Sequence, residues 1–424
     1  MLDTISSFVW GTPTICVILF TGIFLTSKLN FIQLRKFKKA VCLLLKDHTD
    51  QNSGIKPKHA LMTALSATIG TGNIAGVATA ITLGGPGAIF WMWVTAVIGM
   101  ATKYAEAFFA IKYRTKNSSG VFVGGPMYYI SIGLGKKFDW LAKSFAVFGC
   151  IAGFGIGNAI QINTIANTAY SNSGIPKLAT GIIVALIIGI VLIGGIKRIA
   201  SFASKIVPFM AILYLSSCVF CIISNIDLAG KAFNLIITSA FSNKAALGFT
   251  LGMSIKMGVS RGIFSNEAGL GSAAIAHASS TEKDPERQGL IAMLGVFIDT
   301  ILICTVSSIV IIMADKSKAH GSVLVEQSLD KLMSHGSEIV SICVILFAFT
   351  SIIGWSFYSE KCLEFLFGSK FNKQFKILWV LVIPFAAVFK LYQVWSIADI
   401  LNAFMIIPNV IGLILLAKKG FCKH

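Results

Sequence analysis

Residues 64–76 read ALSATIGTGNIAG, which places two glycines and an asparagine in the middle of an otherwise apolar helical segment. Glycine weakens a helix because it loses more backbone freedom on folding than any other residue. Inside a lipid bilayer, an interrupted helix leaves peptide groups that cost several kcal/mol unless they line a cavity or are buried in protein. If the chain crosses a membrane, this stretch predicts a binding site at membrane depth.

The composition of the whole chain indicates a membrane protein. Of its 424 residues, 55% are hydrophobic and 13% are charged, whereas soluble domains carry about a quarter charged residues. Apolar stretches long enough to cross about 30 Å of hydrocarbon recur from end to end. They predict an all-α polytopic membrane protein with about eleven transmembrane helices. The predicted segments are residues 9–30, 59–83, 87–111, 140–170, 177–196, 202–225, 245–275, 288–314, 337–366, 374–392 and 395–417.

The distribution of basic residues predicts the orientation of the chain. The net charge is +18, but lysine and arginine gather in alternating connections, as in the positive-inside pattern, and not on one folded face. We therefore expect no nucleic-acid partner. The basic connection at residues 28–58 is predicted to be cytoplasmic, which places the N-terminus outside and the C-terminus in the cytoplasm. The expected location is the inner membrane of a prokaryotic cell.

A second glycine-punctuated segment lies five predicted helices later, where residues 258–271 read GVSRGIFSNEAGLG. Paired interruptions at matching places in two halves are the sequence signature of the central site of a secondary transporter. Five helices per half would insert the second half upside down relative to the first. The predicted division is an extra helix with a basic segment at residues 1–58, a first repeat at 59–225 and an inverted repeat at 226–424.

Five stretches resemble the alanine or glycine:cation symporter family: GTGNIAGVA at 70–78, GGPGAIFWMW at 84–93, GGPMYY at 124–129, SRGIFSNEAG at 260–269 and IGWSFY at 353–358. The resemblance covers nearly the whole chain after the first helix. It implies the LeuT-type five-plus-five inverted repeat with one extra N-terminal helix. It also implies sodium-coupled uptake of a small neutral amino acid, alanine or glycine, by a protein that is not an enzyme and has no organic cofactor. The oligomeric state stays open, a monomer being compatible.

The same resemblance implies the residues of the site. The substrate would contact a set of seven residues: Thr71, Gly72, Asn73, Gln161, Phe264, Ser351 and Trp355. The sodium ion would be held by the carbonyls of Ser66 and Ile69 and by the hydroxyls of Thr350 and Ser351. Independently, a helix that resumes after the break exposes N–H groups that suit a carboxylate, and the half that ends there exposes carbonyls that suit sodium.

Each of these residues also has a structural interpretation. Asn73 can form a hydrogen bond between helices, Gln161 can share a polar network with its neighbours Asn158 and Asn163, and Phe264 and Trp355 can be ordinary packing. The hydroxyls of Thr350 and Ser351 can bond back to their own helix.

Several ionisable residues lie in apolar segments. Asp299 or Glu267 could pair with Arg261 to hold a gate. Lys103 and Glu106, one helical turn apart, are expected to form a structural pair that reaches the membrane interface.

Two other functions compete with sodium symport. One is proton-coupled transport, with Asp299 or Glu267 as the carrier. The other is a membrane-embedded enzyme, but the apparent nucleotide-binding pattern at residues 70–75 lacks a preceding strand, and the apparent hydrolase pattern at 258–262 lacks a sheet and catalytic partners.

Overall fold

A computed structural model describes residues 9, 11–46, 54–241, 250–314, 321–389 and 392–421. Helices make up most of this part of the chain, and one two-stranded antiparallel hairpin joins β1 to β2. The elements in chain order are α1 Thr12–Lys28, α2 Ile32–Arg35, α3 Phe37–Leu45, α4 Pro57–Thr68, a π turn Gly72–Gly76, α5 Val77–Gly84, α6 Gly87–Lys112, β1 Thr115–Lys116, β2 Phe122–Val123, α7 Pro126–Leu134, a 3₁₀ turn Lys136–Phe138, α8 Asp139–Ala152, a π segment Gly153–Ala159, α9 Ile160–Ser173, α10 Lys177–Ile193, α11 Gly195–Ser224, α12 Ile226–Ser239, α13 Leu251–Asn266, α14 Ser272–Ala278, α15 Pro285–Val296, a π segment Phe297–Cys304, α16 Thr305–Met313, α17 Ser322–Leu332, α18 Gly336–Phe367, a 3₁₀ turn Ser369–Phe371, α19 Asn372–Val388 and α20 Tyr392–Lys419.

The long apolar helices occupy the predicted segments. Within the described residues, seven helices are long and apolar enough to cross a membrane, and they lie in the third, fourth, sixth and eighth to eleventh predicted segments. The second segment is one bent pair, Pro57–Thr68 with Gly72–Gly84, in which the helix direction changes by 58° at the break. The first and fifth segments hold the shorter apolar helices α1 and α10. The chain is therefore a multi-pass membrane protein, and the count of eleven spans stays a prediction.

The seventh predicted segment is interrupted like the second. It holds α13 and α14, which are separated by residues 267–271. Residues 245–249 of that prediction lie outside the part of the chain that the structure describes. The two interruptions predicted from glycine and polar residues are thus both confirmed as breaks in helices.

Four helices were not anticipated from hydropathy: α2, α3, α12 and α17. Each is shorter than a membrane span, and α12 carries Asp227 and Lys231 among its apolar residues. A search for stretches of about 20 apolar residues passes over such helices. A further short helix, α7, lies between the third and fourth predicted segments.

The centre of the fold is α18, which packs against α4, α8, α9 and α11. Its residues Phe347, Ile352, Trp355 and Tyr358 are at most 1% exposed. The two interrupted segments meet at one end, where Ile55, just before α4, forms a parallel bridge with Ser280, just after α14. Both interrupted segments also contact the central helix, through α4 and α14 respectively.

Candidate functional site

The first break begins directly after Ile69. The Ile69 N–H makes the last regular bond of α4, to the Leu65 carbonyl at 2.8 Å. The next N–H, that of Gly70, donates instead to the Oδ1 atom of Asn73 at 2.9 Å. A Cβ atom at position 70 would lie 2.7 Å from the Ser351 hydroxyl oxygen, so only glycine allows this approach. The backbone of the break therefore lies directly against α18.

Two side chains beside this break have unpaired polar atoms. Thr71 Oγ1 and Gln161 Oε1 are buried and have no hydrogen-bond partner among the described residues. The Gln161 amide nitrogen donates to the Ile156 carbonyl at 3.1 Å and lies 3.8 Å from the position that a Cβ atom of Gly70 would take. An unpaired buried polar atom costs about 1–3 kcal/mol. These two atoms are therefore available to a ligand or a water molecule at the break.

The neighbours of Gln161 do not share a network with it. The Asn158 side chain donates to the Trp379 carbonyl at 3.0 Å, and the Asn163 side chain donates to the Phe389 carbonyl at 2.8 Å. Both asparagines thus anchor the fourth predicted segment on α19 and its end. The alternative interpretation of Gln161 as part of their network is not what the structure shows.

The two aromatic residues predicted as walls lie at different distances from the break. A Cβ atom at Gly72 would lie 3.3 Å from Phe264, so this ring borders the break. Trp355 is 1% exposed and lies so close to Gly157 that a Cβ atom there would meet it at 2.1 Å. Phe264 is placed as a wall requires, whereas Trp355 packs against Gly157 of the fourth predicted segment.

The residues predicted to hold sodium come together only in part. Ser351 reaches across to the Ala67 carbonyl at 3.3 Å while also donating to Phe347 in its own helix at 3.0 Å. Thr350 donates to the same Phe347 carbonyl at 3.0 Å and lies 3.6 Å from the sulfur of Met210. Thr350 therefore bonds back to its own helix, as the structural interpretation anticipated, and Ser351 alone bridges α18 to the end of α4.

A cation at this place would be held by uncharged oxygen atoms. The Ser66 hydroxyl donates to the Thr63 carbonyl at 2.8 Å, and a Cβ atom at Gly354 would lie 2.9 Å from it, so the last turns of α4 touch α18. In the described part of the chain, no three His, Cys, Asp or Glu side chains cluster as metal ligands. Carbonyl and hydroxyl oxygens are the ligands that broken transporter helices offer to sodium.

A fully buried polar cluster joins the first break to two other helices. The Asn73 amide nitrogen donates to Asp299 Oδ1 at 2.7 Å and to the Ser265 hydroxyl at 3.0 Å. Asp299 also accepts from Ser265 at 2.7 Å and from Thr300 at 2.9 Å. All four residues are 0% exposed. Both the oxygen and the nitrogen of the Asn73 side chain are thus bonded within the protein. This is the interhelical hydrogen bonding that the sequence analysis gave as the alternative to substrate contact.

The second break is held by a single carboxylate oxygen. Glu106 Oε1, on α6, accepts from the N–H groups of Gly269 at 3.0 Å and Gly271 at 3.1 Å. It also accepts from the Asn409 side chain at 2.8 Å, and Lys103 donates to the Glu267 carbonyl at 3.0 Å. These bonds replace the helical ones that the chain gives up between α13 and α14.

The prediction that Lys103 and Glu106 reach the membrane interface needs correction. Lys103 and Glu106 do pair, at 3.8 Å, but they are 3% and 0% exposed and do not reach the membrane interface. Their glycine-rich partner lies more than 160 residues away in the sequence, so spacing on α6 does not reveal it. Asn409, which completes this support, was not singled out from the sequence.

Arg261 does not pair with either proposed carboxylate in the described part of the chain. Its guanidinium lies 5.4 Å from the centre of the Phe264 ring, and its Nε atom is buried without a hydrogen-bond partner. Glu267 instead accepts from the Ser272 hydroxyl, and Asp299 is engaged by the polar cluster. The structure does not contain the predicted ion pair because each carboxylate already has closer donors.

Outside the membrane segments, Arg114 fastens the end of α14. It donates to the carbonyls of Ala278, Ser280 and Glu282, and its guanidinium lies 4.0 Å from the centre of the Phe122 ring. Burial lowers the pKa of Arg114 to about 10, so the side chain stays charged at neutral pH.

Comparison with known proteins identifies relatives along the whole chain. The family model described as the sodium:alanine symporter family matches residues 1–423. The sodium/alanine symporter AgcS of Methanococcus maripaludis is 47% identical, over 98% of this chain and 94% of its own. The probable sodium/glutamine symporter GlnT of Bacillus subtilis is 38% identical, over 97% of this chain and 87% of its own.

Among solved structures, the fold is similar to that of MhsT in complex with L-phenylalanine. The TM-score is 0.55 at 16% sequence identity, and the alignment covers 86% of this chain and 89% of MhsT. At that identity the likeness concerns the fold, which is LeuT-like, as the sequence resemblance implied.

Proposed function

The chain belongs to the sodium:alanine symporter family, and we propose that it imports alanine or glycine together with sodium by alternating access. Membership makes it an amino-acid transporter of the membrane. The choice of a small neutral substrate and of sodium as the coupled ion is the proposal. It is supported by the first break, where a bent helix, unpaired polar atoms and an aromatic wall lie together.

The substrate carboxylate would bind at the start of the half-helix that follows the break. The N–H groups of Thr71 and Gly72 lie at the positive end of that half-helix, which favours an anion. The unpaired hydroxyl of Thr71 and the unpaired carbonyl oxygen of Gln161 would bind the carboxylate and the ammonium group, respectively. Asn73 would act indirectly, since its side chain fixes the Gly70 backbone.

Restricted space supports a small side chain. Phe264 borders Gly72, and such a wall excludes large side chains by volume while discriminating by only about 1–3 kcal/mol per methylene. Because the relative GlnT is named for glutamine, glutamine belongs among the substrates to be tested.

Sodium would bind between the end of α4 and α18. We place it among the carbonyls of Ser66 and Ile69 and the hydroxyls of Thr350 and Ser351. Ser351 supports this position because it already spans the two helices. Thr350 would need to turn its hydroxyl away from Phe347, which a rotation about one side-chain bond accomplishes.

Coupling would follow from the segment that the two ligands share. Sodium that orders the end of α4 also orders the break that binds the amino acid, so each ligand raises the affinity for the other, and the effect is reciprocal. Inward movement of one sodium ion supplies about 2.3 kcal/mol per 100 mV, in addition to its concentration gradient.

We further propose the arrangement in the membrane that the sequence predicts. Residues 59–225 and 226–424 would form the two five-helix repeats, after an extra helix in residues 1–58. The N-terminus would face outward and the C-terminus the cytoplasm of a prokaryotic cell.

The unpaired atoms at the first break are the observation that carries this proposal. Its test is uptake of radiolabelled alanine, glycine and glutamine into proteoliposomes with an imposed inward sodium gradient, repeated with potassium. Accumulation of unmodified alanine or glycine only with sodium is expected. Transport that ignores sodium would refute the coupling, and uptake of glutamine alone would refute the substrate.

Proton coupling is the second candidate, because Asp299 is a completely buried carboxylate beside the first break. In that case uptake would follow a pH gradient without sodium. Asp299→Asn would then abolish the response to the pH gradient, whereas sodium coupling predicts that no such response exists in the unmodified protein.

A further inference from the structure

A wedge-shaped groove lies between α10 and α19 on the surface of the protein that faces the lipid. The two helices touch at Gly181, where a Cβ atom would lie 2.9 Å from the Pro384 backbone. At Gly189, two turns further, the nearest atoms to such a Cβ are those of Val380 at 3.8 Å. The helices thus separate toward one end, and glycine at position 189 keeps the gap open.

The groove is apolar along its length. Its volume is about 240 Å³. The lining residues are Gly189, Leu192 and Ile193 on one helix and Ile377, Val380 and Leu381 on the other. Ile193 is 81% exposed and Leu381 57%, as expected for a surface that faces the hydrocarbon of the membrane. A groove of this size accepts an acyl chain but not a helix, whose diameter is about 10 Å.

Positive charge gathers at the wide end. Lys376 lines the groove there, and its ammonium group lies 3.4 Å from Glu360, which leaves further N–H donors of the three it carries. Arg198 donates one bond to the Ile190 carbonyl at 2.8 Å, which holds its guanidinium beside the last turn of α10. Lys197 and Lys373, whose side chains are exposed, lie one residue before Arg198 and three residues before Lys376 in the sequence.

We propose that this groove binds an anionic phospholipid, with one acyl chain between α10 and α19 and the phosphate beside Lys376 and Arg198. Basic pockets between transmembrane helices are recognised binding places for anionic headgroups. The Glu360 carboxylate restrains Lys376 at the wide end of the groove. The basic residues there outnumber this one carboxylate, so the wide end keeps a net positive charge. The lipid would bridge a helix of each predicted repeat on the side of the basic connections.

The test uses the full-length protein purified in detergent and native mass spectrometry with added dioleoylphosphatidylglycerol or dioleoylphosphatidylcholine. The unmodified protein is expected to retain phosphatidylglycerol selectively. Arg198→Gln should weaken this binding by about fivefold, the effect of one basic residue at a lipid headgroup. Gly189→Leu should weaken it by at least as much, because its side chain fills the groove. Lys177→Gln, at the opposite end of α10, is the matched control and should bind normally.

Size-exclusion chromatography separates loss of binding from misfolding, and a second filling variant, Val380→Phe, replaces Gly189→Leu if that variant aggregates. Equal retention of the two lipids would overturn the proposal, since the basic residues at the wide end of the groove would then have no role in lipid binding. Unchanged retention in both Arg198→Gln and the filling variant would also overturn it. If only Arg198→Gln lost phosphatidylglycerol binding, the headgroup would bind on the surface with no acyl chain in the groove, which would contradict the proposal as well.

Discussion

Glycine residues punctuate both helix breaks of this protein, but the breaks differ in how their buried polar atoms are compensated by the rest of the protein. The second break, residues 267–271, has its N–H groups bound by Glu106, with Asn409 and Lys103 completing the support. The first break leaves Thr71 Oγ1 and Gln161 Oε1 buried without partners. The other oxygen of Glu106, Oε2, also has no hydrogen-bond partner among the described residues, but it lies 3.8 Å from the Lys103 ammonium group. We infer that the second break, whose N–H groups and carboxylate are compensated by protein groups, supports the fold, and that the first break is available to a ligand.

If this contrast is correct, the largest effect on stability comes from the second break. Glu106→Ala removes the acceptor of three hydrogen bonds and leaves Lys103 buried without its carboxylate. We expect a loss of about 3–5 kcal/mol in the free energy of unfolding, measured by thermal unfolding in detergent. Glu106→Gln, which keeps an oxygen acceptor, is the control and should lose much less. An alanine variant as stable as the unmodified protein would show that the second break needs no such support.

A smaller loss of stability is expected when a side chain is added at the first break. Gly70→Ala would bring a methyl group to 2.7 Å from the Ser351 hydroxyl oxygen, which costs about 1–3 kcal/mol through overpacking. Alanine uptake should fall with it because the peptide groups of the break are displaced. Gly76→Ala is the matched control, since a Cβ atom there meets nothing within 4 Å. Equal uptake by the two variants would contradict the close approach to α18.

Removing an unpaired atom should separate stability from function. Thr71→Val deletes a hydroxyl that has no partner in the described structure, so the free energy of unfolding should stay constant or rise by about 1 kcal/mol. The alanine concentration for half-maximal uptake should rise about tenfold or more, because a hydrogen bond to the charged carboxylate of the substrate is lost. The comparison is Thr79→Val, whose hydroxyl bonds to Ala75 within its own helix at 2.7 Å, and whose uptake should not change. A destabilised Thr71→Val variant with normal uptake would reverse the assignment.

The smallest effect is expected at the proposed cation site. Thr350→Val removes a hydroxyl that in this structure bonds back to its own helix, so stability should change by no more than about 1 kcal/mol. The sodium concentration for half-maximal uptake should rise severalfold if the hydroxyl turns toward sodium. An unchanged sodium dependence would exclude Thr350 as a ligand and leave Ser351 as the contribution of α18.

The sequence predicts the position of each break because glycine pairs interrupt apolar runs that are otherwise long enough to span a membrane. It does not predict how each break is completed. Asn73 bonds to Asp299, 226 residues away, and Glu106 bonds to Gly269 across 163 residues. Local patterns carry no information about such partners, which is why Lys103 and Glu106 were expected at the interface and Asn409 was overlooked.

Hydropathy predicts long helices for a similar reason and fails with short ones. A long apolar helix is specified by its own residues, because a membrane-spanning helix makes all of its backbone hydrogen bonds within its own segment. Short helices such as α12 depend on contacts with α6 and α16, which a hydropathy profile does not contain.

The central claim, that the first break alone binds an amino acid and sodium, is tested most directly by amide hydrogen exchange. Peptides covering residues 69–76 and 267–271 would be followed in the purified protein with alanine plus sodium, alanine plus potassium, and sodium alone. We predict that protection of residues 69–76 is greatest with alanine and sodium together, while residues 267–271 stay protected and nearly unchanged throughout. Protection that appears only at residues 267–271, or that is the same with potassium as with sodium, would contradict the account.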